Sequence, residues 1–183
     1  MQPNYAAYTN LGALYYRERR WAESVAMTRK ALEINGNDWH AWSNLGIAYE
    51  WMNRKNEADE AARNELARLE EIAKVRADDA EVQVELGLLY SKGKLREKAV
   101  PLIEAALARA PDDPNVLASA GEAYENLGDR IAALELVKKA LARGWTLAQL
   151  ENDPGQRNLL LDSRFREIAR QFKNNQSPPQ PQR

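Results

Sequence analysis

The chain has 183 residues, 44% hydrophobic and 29% charged, enough apolar mass for a folded core. With 26 Lys and Arg against 27 Asp and Glu, the net charge of −1 leaves none of the cationic excess that a nucleic-acid backbone demands. No cysteine is present, which removes disulfides, thiolate metal sites and Cys nucleophiles. No apolar run of about 18 residues occurs, so no segment is expected to cross a membrane.

The start, Met1-Gln2-Pro3-Asn4, has no charged-then-apolar leader, and the chain as given is expected to be cytoplasmic. Gln2-Pro3-Asn4 reads as a turn between helices with no capping helix before Tyr5. The expectation is therefore that the chain begins inside, or directly after, a longer protein. From Tyr5 onward the sequence repeats. Leu11-Gly12 and Leu45-Gly46 lie 34 residues apart, as do Leu86-Gly87 and Ala120-Gly121. Tyr15 and Tyr49, Tyr90 and Tyr124, and Ala106 and Ala140 keep the same spacing. The units run 5–38, 39–79, 80–113 and 114–147, each expected to form two antiparallel helices. An aromatic residue, a Leu and a Tyr at i, i+3 and i+7 share one helical face. Asn37-Asp38, Asp78-Asp79 and Asp112-Asp113-Pro114 supply helix starts between units.

The second unit is longer. Gly46 to Gly87 spans 41 residues, and the run 56–76 reads as one extended helix with Ala58, Ala62, Leu66, Leu69, Ile72 and Ala73 as its apolar stripe. Seven extra residues are close to two turns and rotate that stripe by only about 20°. Asp59/Arg63 and Glu70/Lys74 are spaced as i,i+4 pairs on the exposed side.

These four units resemble the tetratricopeptide repeat (TPR), whose signature is an aromatic, Leu-Gly, Tyr, Ala and a closing Pro. The resemblance rests on Tyr8, Leu11, Gly12, Tyr15, Trp21 and Ala31; on Trp42, Leu45, Gly46, Tyr49 and Ala58; on Leu86, Gly87, Tyr90, Ala99, Ala106 and Pro111; and on Leu117, Gly121, Tyr124, Gly128, Ala133 and Ala140. It implies an all-α, right-handed solenoid of stacked helix-turn-helix repeats. After it, Gly144-Trp145, Glu151-Asn152-Asp153-Pro154 and Asp162-Ser163-Arg164-Phe165 are similar to the end-of-group element of bacterial TPR arrays. Residues 144–173 are therefore expected to form a capping helical segment, with Leu161, Phe165, Ile168, Ala169 and Phe172 on the apolar face of its last helix. The polar, Pro- and Gln-rich tail 174–183 is expected to be disordered.

Reactive groups are sparse. His40 is the single histidine, placed in the first turn of a repeat helix, and no Gly-rich phosphate loop occurs. Lys92-Gly93-Lys94 reads as the turn inside a repeat, and the Asp pairs read as helix caps. The expectation is no enzyme, no metal and no cofactor. Curved solenoids take partners along an extended concave face. In the resembled family the first helix of each repeat lines that face, which designates Tyr16, Arg17, His40, Asn44, Ile47, Trp51, Glu81, Glu85, Leu88 and Glu122 as the partner-binding groove. Tyr16, Arg17, His40 and Trp51 are expected to form an aromatic and basic cluster. Glu81, Glu85, Glu122 and Glu125 form an acidic stretch, a polarity suited to a peptide with an apolar anchor and a basic segment. The clamp that some TPR arrays use for chaperone C-termini corresponds to Thr9, Ala13, Asn44, Glu81 and Glu85. Only Asn44 fits, so chaperone-tail binding is not expected. The resulting reading is a protein–protein interaction scaffold. The alternative is a regulatory or spacer segment of a larger signalling protein such as a kinase, cyclase or transcriptional regulator. Self-association through Tyr5, Tyr8 and Trp21 at the open end is a further expectation.

Overall fold

A computed structural model describes residues 4–176, with side chains described through residue 172. The expected disorder of 177–183 therefore lies outside the described residues, whereas 174–176 continue the last helix. Four helical hairpins follow one another: α1 (Tyr5–Arg17) with α2 (Trp21–Ile34), α3 (Trp39–Trp51) with α4 (Lys55–Ala73), α5 (Ala80–Lys92) with α6 (Arg96–Arg109), and α7 (Pro114–Asn126) with α8 (Arg130–Ala142). A terminal segment holds α9 (Leu147–Glu151), a single 3-10 turn (Pro154–Gln156), α10 (Arg157–Leu160) and α11 (Ser163–Gln176). No strand occurs among the described residues. The architecture is an all-α, right-handed solenoid.

Local chemistry fixes the period. The first helix of each hairpin is capped by Asn4, Asp38, Asp79 or Asp113, whose side-chain oxygen accepts a backbone N–H of the first turn. Such caps satisfy donors that have no partner inside the helix. The turn inside each hairpin places one residue in the left-handed region: Arg19, Asn53, Lys94 and Gly128. In the third hairpin that residue is Lys94 and not its neighbour Gly93, so the glycine alone does not mark the turn's tight point. Matching ion pairs tie adjacent hairpins, Arg109 with Asp78 and, 34 residues on, Arg143 with Asp112.

Packing follows the small residues. Ala99, Ile103, Ala106, Ala120, Ala123 and Ala140 are fully buried between α5, α6, α7 and α8. Gly87 lets α5 approach α6: a Cβ there would stand 2.7 Å from Ile103 Cγ1 and 3.2 Å from the Ala99 carbonyl oxygen. The 19 residues of α4 exceed the 14 of α2 and α6 by five, so most of the seven-residue insertion lies in this helix and the rest in the linker to α5. Leu69 of α4 is sealed with Trp39, Val82 and Leu86. α4, rather than α3, makes the main contact of the second hairpin with α5, just as α2 rather than α1 makes that of the first hairpin with α3. The expected Glu70/Lys74 pair is replaced: Lys74 pairs with Glu71 at 2.6 Å, and Glu70 accepts from the Tyr90 hydroxyl at 2.9 Å.

The terminal segment closes the stack. Leu150, Leu159 and Phe165 pack on Leu134, Val137 and Leu141 of α8, with Ile168, Ala169 and Phe172 alongside. Leu161, expected on that apolar face, is instead 74% exposed, because it lies in the turn before α11. Thr146 and Gln149 form a reciprocal capping box at the start of α9. Asp162 caps α11 and pairs with Arg164 and Arg130, and these contacts, Arg164 first, hold its carboxyl well below the usual carboxylate range.

Candidate partner-binding groove

The concave face is formed by α1, α3, α5 and α7, and the terminal segment folds back into it. Asn152, at the end of α9, reaches the first two hairpins. Its carbonyl oxygen accepts from the Trp51 indole N–H at 2.8 Å and from the Tyr16 hydroxyl at 3.3 Å. Its side-chain oxygen accepts from Arg19 Nε at 2.7 Å. Trp21 stacks on Trp51, with centroids 5.6 Å and planes 4° apart, and meets Tyr16 edge-on. The Arg157 guanidinium lies over the Trp51 ring, 4.0 Å from its centroid. Burial, then the charge of Asp153, raises the Tyr16 phenol, which keeps it a hydrogen-bond donor.

A cavity of about 340 Å³ lies between this closure and the floor of the groove. Tyr16 and Arg17 line it from α1, Ser43 and Ile47 from α3, Glu65 from α4, and Glu85, Leu88 and Lys92 from α5. Ser119 and Glu122 line it from α7, and Trp145, Asn152 and Asp153 from the terminal segment. Four carboxyls, on Glu65, Glu85, Glu122 and Asp153, thus face two cations, Arg17 and Lys92.

These charges are not equivalent. Glu65 is 5% exposed, and burial, reinforced by the Glu85 charge, pushes its carboxyl up to about 8. Burial likewise pushes Glu85 up to about 7, against the hydrogen bond that Ser119 donates at 2.6 Å. Asp153 is raised well above the ordinary carboxylate value by burial and then by Glu122. Lys92 is 37% exposed through the groove mouth. Burial opposes its charge, but Glu122, Glu50, Asp153 and Glu65 outweigh it and push the ammonium up. Its Nζ stands 3.5 Å from Glu122 Oε1, beyond hydrogen-bonding reach of most ammonium–carboxylate pairs. Glu122 is 5% exposed, and its Oε1 has no hydrogen-bond partner.

Gly155 covers that carboxyl. A Cβ at this position would overlap the Glu122 carboxyl, so a larger residue could seat here only by pushing that buried side chain aside. Gly155→Ala is therefore expected to lift the turn from the groove. Amide hydrogen exchange across 151–157 should rise by about tenfold or more, with the α3–α8 core unchanged. Unaltered protection of 151–157 would show that the contact is not what holds the turn.

The expected site residues fall into separate places. Tyr16, Arg17, Ile47, Glu85, Leu88 and Glu122 share the cavity, and Trp51 adjoins it through Asn152. His40 and Asn44 line another cavity with Tyr5 and Thr9, and His40 stacks on Trp39. His40 and Trp51 stand at opposite ends of α3, about 16 Å apart at 1.5 Å per residue, so the fold does not gather His40 with the aromatic pair. Glu81 lines a third hollow with Asn115. At the first hairpin Tyr5 and Tyr8 are half-buried, Trp21 is engaged by Trp51, and Leu11 and Leu14 are the large apolar side chains left exposed on α1. Glu65, Asp153 and Trp145 escaped the sequence reading. Glu65 belongs to the second helix of its repeat, and Trp145 and Asp153 follow the last repeat helix, where the sequence marked them only as parts of the closing element.

Residues 6–35 and 80–113 each match a family model described as tetratricopeptide repeat. The chain carries TPR repeats. A crystal structure of MamA is 24% identical, covering 77% of this chain and 78% of that one with a TM-score of 0.45. YrrB, described as a TPR protein with an unusual peptide-binding site, is 17% identical, covering 82% of this chain and 92% of that one with a TM-score of 0.40. No curated protein matches the sequence. Among the described residues no group of three or more acidic or His side chains is arranged to hold a metal ion, and no helix is long and apolar enough to cross a membrane.

Proposed function

We propose that this TPR protein is an interaction scaffold that takes a segment of a protein partner in its concave groove, at the cavity between α1, α3, α5, α7 and the terminal turn. The observation that carries this reading is the cavity itself. Its volume of about 340 Å³ falls in the range of ligand sites, and its wall joins apolar Ile47 and Leu88 to a few directed polar groups. A peptide entering it meets Ile47 and Leu88 for an apolar anchor and the carboxyls of Glu85 and Glu122 for a basic segment. To reach Tyr16 and Trp51 as well, it displaces the Asn152 carbonyl from their donors and can supply a carbonyl of its own in the same place.

The test is a random-peptide display selection against the chain, with binders then titrated calorimetrically. Ser119→Tyr, which fills the cavity from α7, serves as the blocked comparison, its helicity checked by circular dichroism. Binders that lose about tenfold or more in affinity on Ser119→Tyr support the groove as the docking site. A selection without binders, or binders indifferent to the blocked cavity, overturns it.

A further inference from the structure

The cavity chemistry specifies more than its shape. Glu122 Oε1 is a buried acceptor without a donor, and the nearest cation, Lys92 Nζ, stops 3.5 Å away. A buried acceptor left unpaired costs about 1–3 kcal/mol, so a donor brought to it gains more than one offered to a solvated carboxylate. Three further carboxyls, on Glu65, Glu85 and Asp153, line the same space against Lys92 and Arg17. Trp145 contributes a second unmatched group to this wall, an indole N–H with no acceptor.

We infer that the cavity binds a guanidinium group, which places its planar set of donors among Glu122, Glu65 and Asp153. Three features favour guanidinium over a simple ammonium. Its five N–H donors in a fixed fork can serve two carboxyls at once, where an ammonium acts as a point charge. It is more weakly hydrated and loses less on leaving water. It also stacks on aromatic faces, and Tyr16 and Trp145 both line the cavity. The unpaired Trp145 N–H then suits a carbonyl oxygen beside the guanidinium, as in an arginine within a peptide. This inference rests on the scaffold reading and names the chemistry of the partner segment.

Three of these carboxyls, on Glu65, Glu85 and Asp153, are shifted toward their acid forms. Burial raises Glu65 and Glu85, and Asp153 is raised with Glu122 beside it. An entering cation replaces those protons. The groups that face it are Arg17 on α1, Glu50 on α3, Glu65 on α4, Glu85 and Lys92 on α5, Glu122 on α7, and Asp153 with Arg157 in the terminal segment. Binding is therefore expected to release protons and to tighten as pH rises from 6 to 8, through the region where Glu85 and Glu65 ionise.

The experiment compares acetyl-Gly-Arg-Gly-amide with its citrulline counterpart, a neutral near-isostere, on the intact chain. Agmatine provides the arm for a free guanidino compound. Titrations follow the Trp145 indole N–H by NMR and the heat in buffers of different ionisation enthalpy. The arginine peptide should bind about tenfold more tightly than the citrulline peptide, release protons, and lose that preference in Glu122→Gln and in Glu65→Gln. Agmatine binding as well as the arginine peptide would assign the source to a free guanidino compound, and peptide binding alone to a partner's arginine. Equal binding of the arginine and citrulline peptides, or none of either up to about 10 mM, overturns the inference. If display peptides without arginine still bind at the groove, the scaffold reading stands while this one falls.

Discussion

Ile103→Ala is expected to destabilise the chain by about 2–5 kcal/mol, measured by urea denaturation followed at the helical circular-dichroism band. Ile103 is fully buried on α6 in the tightest hairpin contact, against Gly87. Removing three carbons there loses their burial and leaves a hole that α5 and α6, joined by a short turn, can only partly close. Gly87→Ala is expected to destabilise as well. Alanine favours a helix over glycine by about 1 kcal/mol, but its Cβ would stand 2.7 Å from Ile103 Cγ1, and overpacking costs about 1–3 kcal/mol. The two changes meet at the same atom. The double variant should therefore be more stable than the sum of the single losses, because the new Cβ occupies space that Ile103 has left. Strict additivity would show that the hairpin does not pack through this pair.

The second large effect concerns pH. Glu65 has an ordinary carboxyl value of 4.5 when unfolded and about 8 when folded, because burial disfavours its charge. Between those values the folded state holds a proton that the unfolded state has released. Its contribution is fully present below about pH 4.5 and is lost as pH rises through about 8. The wild-type midpoint should thus fall on going from pH 5 to pH 8, with Glu85 adding to the decline as its own value of about 7 is passed. Glu65→Gln keeps the shape of the protonated side chain and cannot ionise. Its expected gain over wild type is near zero at pH 5 and on the order of a few kcal/mol at pH 8, read as a difference in thermal midpoint. Lys92→Met should steepen the same decline, since Lys92 is the cation that Glu65, Glu122 and Asp153 share. Parallel pH profiles for wild type and Glu65→Gln would show that Glu65 is solvated in both states.

The first effect arises inside one repeat and the second where the repeats meet their closure, and they separate two kinds of information. The sequence by itself determined the helices, their caps and their partners within each hairpin. A 34-residue period, Asn or Asp before each first helix, and Gly or Ala where helices cross are local instructions, and each acts within one unit. Even the insertion was legible from the 41-residue spacing of Gly46 and Gly87, although α4 itself takes up only five of the seven extra residues. The groove was a different matter. Tyr16 and Trp51 stand 136 and 101 positions from the Asn152 carbonyl that engages them, and no periodicity relates a repeat helix to the turn that follows the array. Glu65 was hidden because it belongs to a second helix. It lines the groove from α4, the helix of the second hairpin that packs against α5. Glu122 was legible as a wall residue, but its buried, unpaired oxygen depends on Gly155 folding onto it from the far end of the chain. Tertiary structure decided these points, because curvature brings distant side chains into one low-dielectric space where their charges must be settled together.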